Sequence, residues 1–338
     1  MVTASSHESD TPGRQHGHDQ GHTHGTVDPA LLSTAQGISA VKWSLVILAI
    51  TAAVQIVVVV LTGSVALLAD TVHNVGDALT AVPLWIAFFY ARRPPTKRYT
   101  YGFGRIEDLA GIAVVLTILF SAVFAGYESV LRIVHPQTVT HLGAVAVAAL
   151  VGFLGNEAVA QLRIRTGKRI ASVALIADGH HARIDGFTSL AVLAGAIGVW
   201  LGFPLADPII GLIIALAIMR IVWQSAKSVF SRAIDGVDPE VVDEIHEALA
   251  RTPSVVEVTE TRVRWLGHRM LAEVNVAVPS GLSVEEGHAV AVEVRHQLLH
   301  RLEYLSDATV HVDPNTASGQ AHHHIPEHRH DDLATHSH

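Results

Sequence analysis

The apolar residues of this chain are gathered into six long stretches, which short polar connections separate. The stretches lie near residues 41–61, 65–90, 109–132, 141–162, 171–201 and 207–229. Each is close to the length that crosses a bilayer as a helix, which takes about 20 residues. The pattern therefore predicts an α-helical membrane protein with a bundle of six transmembrane helices.

Lysine and arginine residues indicate how these helices are oriented. The connection after the second stretch, at 91–108, holds five of them, and the connection after the fourth stretch, at 163–170, holds four. The other three connections hold almost none. Because Lys and Arg accumulate in cytoplasmic loops, both rich connections are predicted to be cytoplasmic, and with six spans both termini lie on that side too.

The pattern changes to that of a soluble domain after the sixth stretch. Asp238 and Pro239 form a typical helix start, since Asp caps a helix and Pro fits its first turn. Residues 255–264 and 270–278 then alternate between apolar and polar positions, with Gly267 between them. This alternation predicts two strands joined by a turn.

A second helix and a third strand complete this domain. Ser283 and Glu286 have the spacing of a capping box, and the helix that they open extends to about Leu302. Residues 308–312 form a last strand, which Pro314 ends. The order α-β-β-α-β predicts a C-terminal cytoplasmic α+β domain of ferredoxin-like type.

Composition agrees with this division of the chain. Hydrophobic residues make up 49% of it, which is high for a soluble protein, and there is no cysteine, so disulfides and thiolate metal sites are excluded. Many of the 23 histidines lie near the two ends, which lack the apolar residues needed to fold. We expect a disordered His-rich tail at 1–38, the membrane domain at 39–232, the cytoplasmic domain at 233–314 and a second disordered His-rich tail at 315–338.

One short pattern occurs twice, in the second and fifth apolar stretches. Both copies end in His-x-x-x-Asp, with His73 and Asp77 in the first and His181 and Asp185 in the second. At this spacing the two side chains stand one turn apart on the same helix face. Two such helices side by side would offer two imidazoles and two carboxylates to one divalent ion such as zinc. Ionisable groups at membrane depth are costly and commonly mark an ion pathway.

The alternative is that these polar groups only hydrogen-bond between helices. Asp70 and Asp178 precede the two motifs, and we expect them to lie off the ligand-bearing face, in helix packing or behind the ligands. Arg183 is expected to pair with a carboxylate such as Asp178 or Glu157 rather than to contact the ion.

The motifs taken together resemble the cation diffusion facilitator family of metal/proton antiporters. Besides the two His-x-x-x-Asp motifs, the matching segments are Tyr101–Glu107, Asp207-Pro208, Glu286–His288 and Val310–Pro314. The resemblance implies a homodimer of six-helix protomers whose cytoplasmic ferredoxin-like domains meet at the dimer interface. It also implies zinc as the commonest cargo, since members with His and Asp in both motifs resemble zinc transporters.

The resemblance further implies a metal site in the cytoplasmic domain. His288, His311 and Asp313 stand where relatives have ligands, whereas Thr259 and Asn275 occupy positions that often hold further ligands. It therefore implies one weaker regulatory ion rather than a full two-metal cluster. The alternatives are a solvated helix histidine at His288 and strand-end capping by His311 and Asp313.

These observations lead to a prediction of proton-coupled efflux of a divalent metal, foremost zinc, from the cytoplasm. Cobalt, cadmium, iron and manganese are alternative cargoes, and a membrane-anchored metal sensor is an alternative function. An intramembrane metalloenzyme is disfavoured because the chain has no His-Glu-x-x-His. We expect a multi-pass protein of a bacterial inner membrane with both termini cytoplasmic and no prosthetic group. Its expected partners are metal ions, protons, lipid and a second copy of the chain, and not nucleic acid.

Overall fold

The computed structural model describes residues 29–62, 81–134, 142–203, 205–319 and 322. Within these residues the membrane part consists of six helices, one at each predicted apolar stretch. They are α1 (Pro29–Thr62), α2 (Ala81–Ala91), α3 (Arg105–Val134), α4 (Leu142–Arg169), α5 (Val173–Trp200) and α6 (Ala206–Ala233). The prediction of a helical membrane domain is therefore confirmed. Residues 1–28, 320–321 and 323–338 of the two predicted tails lie outside the described residues.

Four of these helices are long and apolar enough to cross a membrane by themselves. The spans are Leu32–Val58, Arg105–Leu131, Ala146–Arg169 and Ile209–Ala233. α5 has a comparable length of 28 residues, but Asp178, Arg183 and Asp185 lower the hydropathy of its first half. α2 is the described part of the second predicted stretch, and its 11 residues are mostly apolar.

The outer surface of the bundle carries large apolar side chains. Phe120, Leu216 and Trp223 are 72%, 67% and 75% exposed. Ile118 and Ile184 are buried in a core that α3, α5 and α6 share. Apolar residues on both the inside and the outside are typical of helices that lipid surrounds.

The first helix begins earlier than the sequence predicts. α1 starts at Pro29 and so takes in residues 29–38, which the sequence pattern assigns to a disordered tail. Thr34 is fully buried there, with Oγ1 3.1 Å from Nε2 of His268 in the cytoplasmic domain. Contacts made in the folded protein stabilise this part of the helix, although its local sequence does not require a helix.

The cytoplasmic domain follows α6 and has the predicted order of elements. They are α7 (Pro239–Leu249), β1 (Glu257–Leu266), β2 (Arg269–Val278), α8 (Val284–Arg301) and β3 (Leu305–Pro314). β1 pairs antiparallel with β2, and β2 pairs parallel with β3. Because parallel neighbours need a crossover, α8 carries the chain back to the start of β3. The predicted α+β domain is confirmed, and the structure shows that its small sheet is mixed.

Local sequence determines both helix starts of this domain. The carboxylate of Asp238 accepts a hydrogen bond from Glu240 N at 3.3 Å, and Pro239 takes the first helical position. At α8, Glu286 N donates to Ser283 Oγ at 3.3 Å, while Ser283 N donates to Glu286 Oε2 at 2.7 Å. Hydrogen bonds from the backbone and the hydroxyl of Ser283 hold the pKa of Glu286 below its usual range. Both predicted starts are confirmed.

The turn between β1 and β2 docks on one end of the bundle. Gly267 adopts a φ of 64° in this turn, a conformation that glycine tolerates best. Oε2 of Glu107, on α3, lies 2.6 Å from Nδ1 and 3.2 Å from the backbone N of His268. Asp108 accepts a hydrogen bond from Gly267 N at 3.3 Å. The side chains of Glu107 and His268 are both 2% exposed, so water is excluded from their contact.

Arg232, near the end of α6, strengthens the same junction. Its guanidinium lies 3.8 Å from the centroid of the Trp265 ring and donates to the carbonyl oxygen of Ala171. Arg105 donates to the carbonyl oxygen of Arg232 at 3.2 Å and pairs with Asp235. The turn is thereby linked to the ends of α3, α5 and α6.

Removing the carboxylate at this junction should loosen the attachment of the cytoplasmic domain. We expect Glu107→Ala to lower the free energy of unfolding by about 1–3 kcal/mol, because His268 loses its buried partner. The measurement is the Tm of the detergent-solubilised protein. Asp307→Ala breaks an ion pair with Arg295 whose side chains are 52% and 60% exposed, and as a control it should leave Tm nearly unchanged. Equal losses of Tm in the two variants would contradict this account of the junction.

Candidate metal site in the membrane bundle

The second His-x-x-x-Asp motif lies in the first half of α5 and faces the interior of the bundle. His181 and Asp185 are 1% and 6% exposed. They stand one turn apart, with Nδ1 of His181 3.7 Å from Oδ1 of Asp185. An imidazole and a carboxylate this close can bind the same metal ion. The pair therefore has the donor atoms, burial and spacing of half a metal site.

The first motif, with His73 and Asp77, lies outside the described residues. Within the part of the chain that the structure describes, no three His, Asp or Glu side chains form a group that could hold a metal. The joint site of His73, Asp77, His181 and Asp185 stays a prediction.

Asp178 shares the face of α5 that carries the two candidate ligands. It precedes His181 by three residues and Asp185 by seven, and these spacings place all three side chains on one side of an α-helix. Asp178 is also fully buried. The expectation that Asp178 lies off the ligand-bearing face is therefore wrong, because a residue one turn further back along a helix lies on the same face.

Two ion pairs join α4 and α5 near the motif. Nη1 of Arg163 lies 2.9 Å from Oδ2 of Asp178. Arg183 donates to the two carboxylate oxygens of Glu157 at 2.8 and 3.0 Å. Arg183 thus pairs with one of the two carboxylates predicted for it, and that prediction is confirmed.

α4 and α5 approach each other closely at the level of the motif. A Cβ atom on Gly179 would stand 2.7 Å from Cγ1 and 3.0 Å from N of Ile164, and 3.1 Å from Cβ of Arg163. Further along α5, a Cβ atom on Gly186 would meet Cβ of Asn156 at 3.3 Å. Small residues permit such an approach between membrane helices, where close packing holds the helices together.

Sequence reasoning misses a group of uncharged polar side chains beside this interface. Gln55 of α1, Asn156 of α4 and Ser189 of α5 are all buried. Gln55 and Ser189 both border Gly152 of α4, and the Ser189 hydroxyl donates to the carbonyl oxygen of Asp185 at 3.2 Å. The signal available in the sequence is that each is a polar residue within a long apolar stretch.

In the cytoplasmic domain, the structure brings two of the three predicted ligands together. Nε2 of His311 lies 2.9 Å from Oδ1 of Asp313, whereas His288 is exposed on α8. Asn275 stands beside His311 in the sheet and donates to Oε2 of Glu260 at 3.1 Å. An open cavity of about 320 Å³ lies on this face, lined by Glu260, Arg262, Glu273, Asn275 and His311. Among the described residues of one protomer, the three predicted ligands therefore do not form one group.

The fold and the buried His–Asp pair define a class: an integral membrane protein with a polar site inside its helix bundle and a small α+β domain outside it. Two family domains match the chain, the Cation efflux transmembrane domain over residues 41–232 and the cytoplasmic domain of the Cation efflux protein over residues 237–315. The first match alone covers more than half of the chain. The protein therefore belongs to the cation efflux family, which is the cation diffusion facilitator family.

Named relatives agree with this assignment. A probable cation efflux system protein of Mycobacterium tuberculosis is 55% identical over 299 residues, which cover 88% of this chain and 89% of that protein. The manganese efflux system protein MneP of Bacillus subtilis is 25% identical over 259 residues, which cover 74% of this chain and 87% of that protein. Among solved structures, a variant of the MamM CTD in a cadmium form is 25% identical and covers 22% of this chain and 95% of that chain, with a TM-score of 0.22. The family match and the relative from Mycobacterium tuberculosis show that the chain is a multi-pass membrane transporter of divalent metal cations rather than an enzyme.

A side chain at Gly179 should force α4 and α5 apart. We expect Gly179→Leu to destabilise the bundle by about 1–3 kcal/mol, as overpacking does, and to lower the Tm of the protein in detergent. Gly143→Leu, on α4, is the control, because nothing lies within 4 Å of a Cβ atom added there. It should leave Tm unchanged or slightly higher, since Leu favours a helix more than Gly does. A fall of similar size in both variants would show that the close approach of the two helices is not what Gly179 provides.

Proposed function

We propose that the protein exports a divalent transition metal, foremost zinc, from the cytoplasm in exchange for protons. The ion would bind to His73, Asp77, His181 and Asp185, at a site that opens alternately to the two sides of the membrane. One observation supports this most: His181 and Asp185 are buried one turn apart inside the bundle. Ionisable side chains at such a depth are costly and commonly line an ion path.

The ligand chemistry favours zinc over harder cations. Two imidazoles and two carboxylates make a four-ligand set of the kind that zinc binds, whereas magnesium and calcium prefer oxygen ligands alone. Cobalt, cadmium and iron are the alternative cargoes, because imidazole and carboxylate ligands suit other transition metals as well. Manganese is a further alternative, since the relative MneP carries the name of a manganese efflux protein.

Histidine also supplies a means of proton exchange. The unperturbed pKa of imidazole is about 6.5, so protons and metal ions compete for the same nitrogen atoms near neutral pH. A site that binds metal on one side and protons on the other couples the two fluxes. A proton gradient directed into the cell would then drive metal out of it.

Contacts at one end of the bundle support an orientation of the protein in the membrane. The β1–β2 turn contacts Glu107, at the end of the first Lys- and Arg-rich connection. The turn also contacts Arg232, which donates to the carbonyl oxygen of Ala171, directly after the second such connection. These contacts support a location of both Lys- and Arg-rich connections on the side of the cytoplasmic domain, which the distribution of positive charge also predicts. We infer a bacterial inner membrane protein with both termini in the cytoplasm, which dimerises through its cytoplasmic domain and carries His-rich tails.

Loss of either candidate ligand on α5 should abolish transport. We expect purified protein in proteoliposomes to move zinc under an imposed pH gradient. His181→Ala and Asp185→Ala should reduce this flux to that of empty liposomes, because each removes a ligand from the site. A fluorescent zinc indicator inside the vesicles gives the initial rate, and parallel runs with cobalt, cadmium, iron and manganese rank the cargoes.

The control for these variants is His180→Ala. His180 precedes His181 directly, is only partly buried and points about 100° away from it around the helix, so this variant should keep its flux. Zinc transport by Asp185→Ala at the wild-type rate would overturn the assignment of the site. Failure of the wild-type protein to move any of the five metals would favour the membrane-anchored metal sensor instead.

We further propose one weaker regulatory metal site in the cytoplasmic domain, at His288, His311 and Asp313, although His288 does not join the other two within one protomer of this structure. The 2.9 Å contact between His311 and Asp313 supports this site, because two side chains this close can bind the same ion. An alternative without metal is that this contact only caps the end of β3.

Removing His311 should therefore remove one bound zinc. The experiment is calorimetric zinc titration of full-length protein that also carries Asp185→Ala, so that the transport site does not contribute. We expect His311→Ala to lose one zinc equivalent relative to that parent. His296→Ala removes an exposed histidine from α8 and should lose none. Equal zinc stoichiometry in the two variants would contradict the regulatory site.

A further inference from the structure

We propose that Arg163 and Asp178 form the cytoplasmic gate of the metal path. While the path is closed, the guanidinium of Arg163 pairs with the carboxylate of Asp178. An entering metal ion displaces the guanidinium and binds this carboxylate before it reaches His181 and Asp185. This inference extends the proposed transport function and depends on it.

The pair stands between the transport motif and the cytoplasm. α5 begins at the end of the bundle that carries the cytoplasmic domain, where Arg232 donates to the carbonyl oxygens of both Ala171 and Gly267. Asp178 lies between that end and His181, one turn away on the same face of the helix. An ion that moves inward along this face of α5 therefore meets Asp178 first.

Both charged side chains are buried. Arg163 and Asp178 are 1% and 0% exposed, and Arg163 is the largest fully buried side chain among the described residues. A buried ion pair is a poor source of stability, because removing two charges from water costs about as much as their attraction gains. Charged groups at this depth in a transporter call for a functional explanation, and these two lie beside the path of a cation.

The contact between the two side chains is made at one point. Nη1 lies 2.9 Å from Oδ2, while Nε and Nη2 of Arg163 and Oδ1 of Asp178 have no hydrogen-bond partner in the described part of the chain. Arg183 and Glu157, on the same two helices, instead make two hydrogen bonds in the usual forked geometry. A one-point contact is easier to exchange, and it leaves Asp178 with an oxygen atom for a second cation.

Charge explains how such an exchange would gate the path. With the guanidinium on Asp178 the pair is neutral as a whole, but its positive end repels an approaching divalent cation. A metal ion that binds Asp178 displaces the guanidinium and then passes to His181 and Asp185. Arg163 returns to the vacated carboxylate and closes the path behind the ion, as alternating access requires.

Removing both charges separates a gate from a structural pair. Arg163→Gln/Asp178→Asn leaves no buried charge unpaired, so a purely structural role predicts wild-type Tm and wild-type zinc transport. The gate predicts a wild-type Tm but an apparent KM for zinc raised about 10- to 100-fold, the usual effect of removing a group that supports a metal site. The measurement is the initial rate of zinc flux in proteoliposomes, with zinc varied on the side of the cytoplasmic domain.

The matched control removes the other ion pair on the same helices. Arg183→Gln/Glu157→Gln should keep the wild-type KM, because that pair is more exposed, with side chains 30% and 23% accessible, and is satisfied without a metal ion. A rise in KM of the same size in both double variants would overturn the gate, since it would follow from loosening α4 against α5.

Other results of these measurements also decide between the gate and its alternatives. A wild-type KM in Arg163→Gln/Asp178→Asn would overturn the gate and leave the transport function standing. If that variant does not fold, Arg163→Lys replaces it: an ammonium keeps the charge but not the guanidinium geometry, so the gate predicts a changed KM and an unchanged KM overturns it. Absence of zinc flux in the wild-type protein would overturn the transport function and the gate with it.

Discussion

The close approach of α4 and α5 is the constraint on which the candidate site depends. At Gly179 the backbones leave no room for a methyl group beside Ile164. This short separation lets arginines and carboxylates reach each other across the interface, as Arg163 and Asp178 do. Because those charges are paired, α5 can carry Asp178 at a depth where an unpaired ion would be too costly. Glycine at this position thus determines the electrostatics of the site as well as its packing.

A second buried contact ties the cytoplasmic domain to the same helices. His268 lies between Thr34 of α1 and Glu107 of α3, and Arg232 of α6 binds the neighbouring Gly267. α6 in turn packs against α5 through the apolar core that includes Ile184. The sheet is therefore connected to the motif-bearing helix through helix ends and core packing, at a distance from the ligands themselves. A rotation of the cytoplasmic domain would therefore act first on the ends of α1, α3, α5 and α6, and only through them on the ligands.

The parts of the fold that could be predicted are those whose signals are local. The capping box of Ser283 and Glu286 depends on residues three positions apart, and each strand depends on its own alternation. The start of α1 could not be predicted in the same way, because Thr34 is held by His268, which lies 234 residues further along the chain. The partner of Asp178 is also a product of tertiary packing, since it depends on how closely α4 approaches α5.

Of the two ion pairs between α4 and α5, the more exposed one makes the more complete set of hydrogen bonds. Stability alone would favour the reverse. A buried donor without a partner costs more than an exposed one, so a pair that only held helices together would be best satisfied where it is most buried. Arg183 and Glu157 are partly exposed and fully forked, whereas Arg163 and Asp178 are buried and meet at one point. Proteins depart from local rules chiefly where function requires it. The incomplete pair lies one turn from His181, toward the end of α5 that is beside the cytoplasmic domain, which is where an exchangeable partner would serve the proposed ion path.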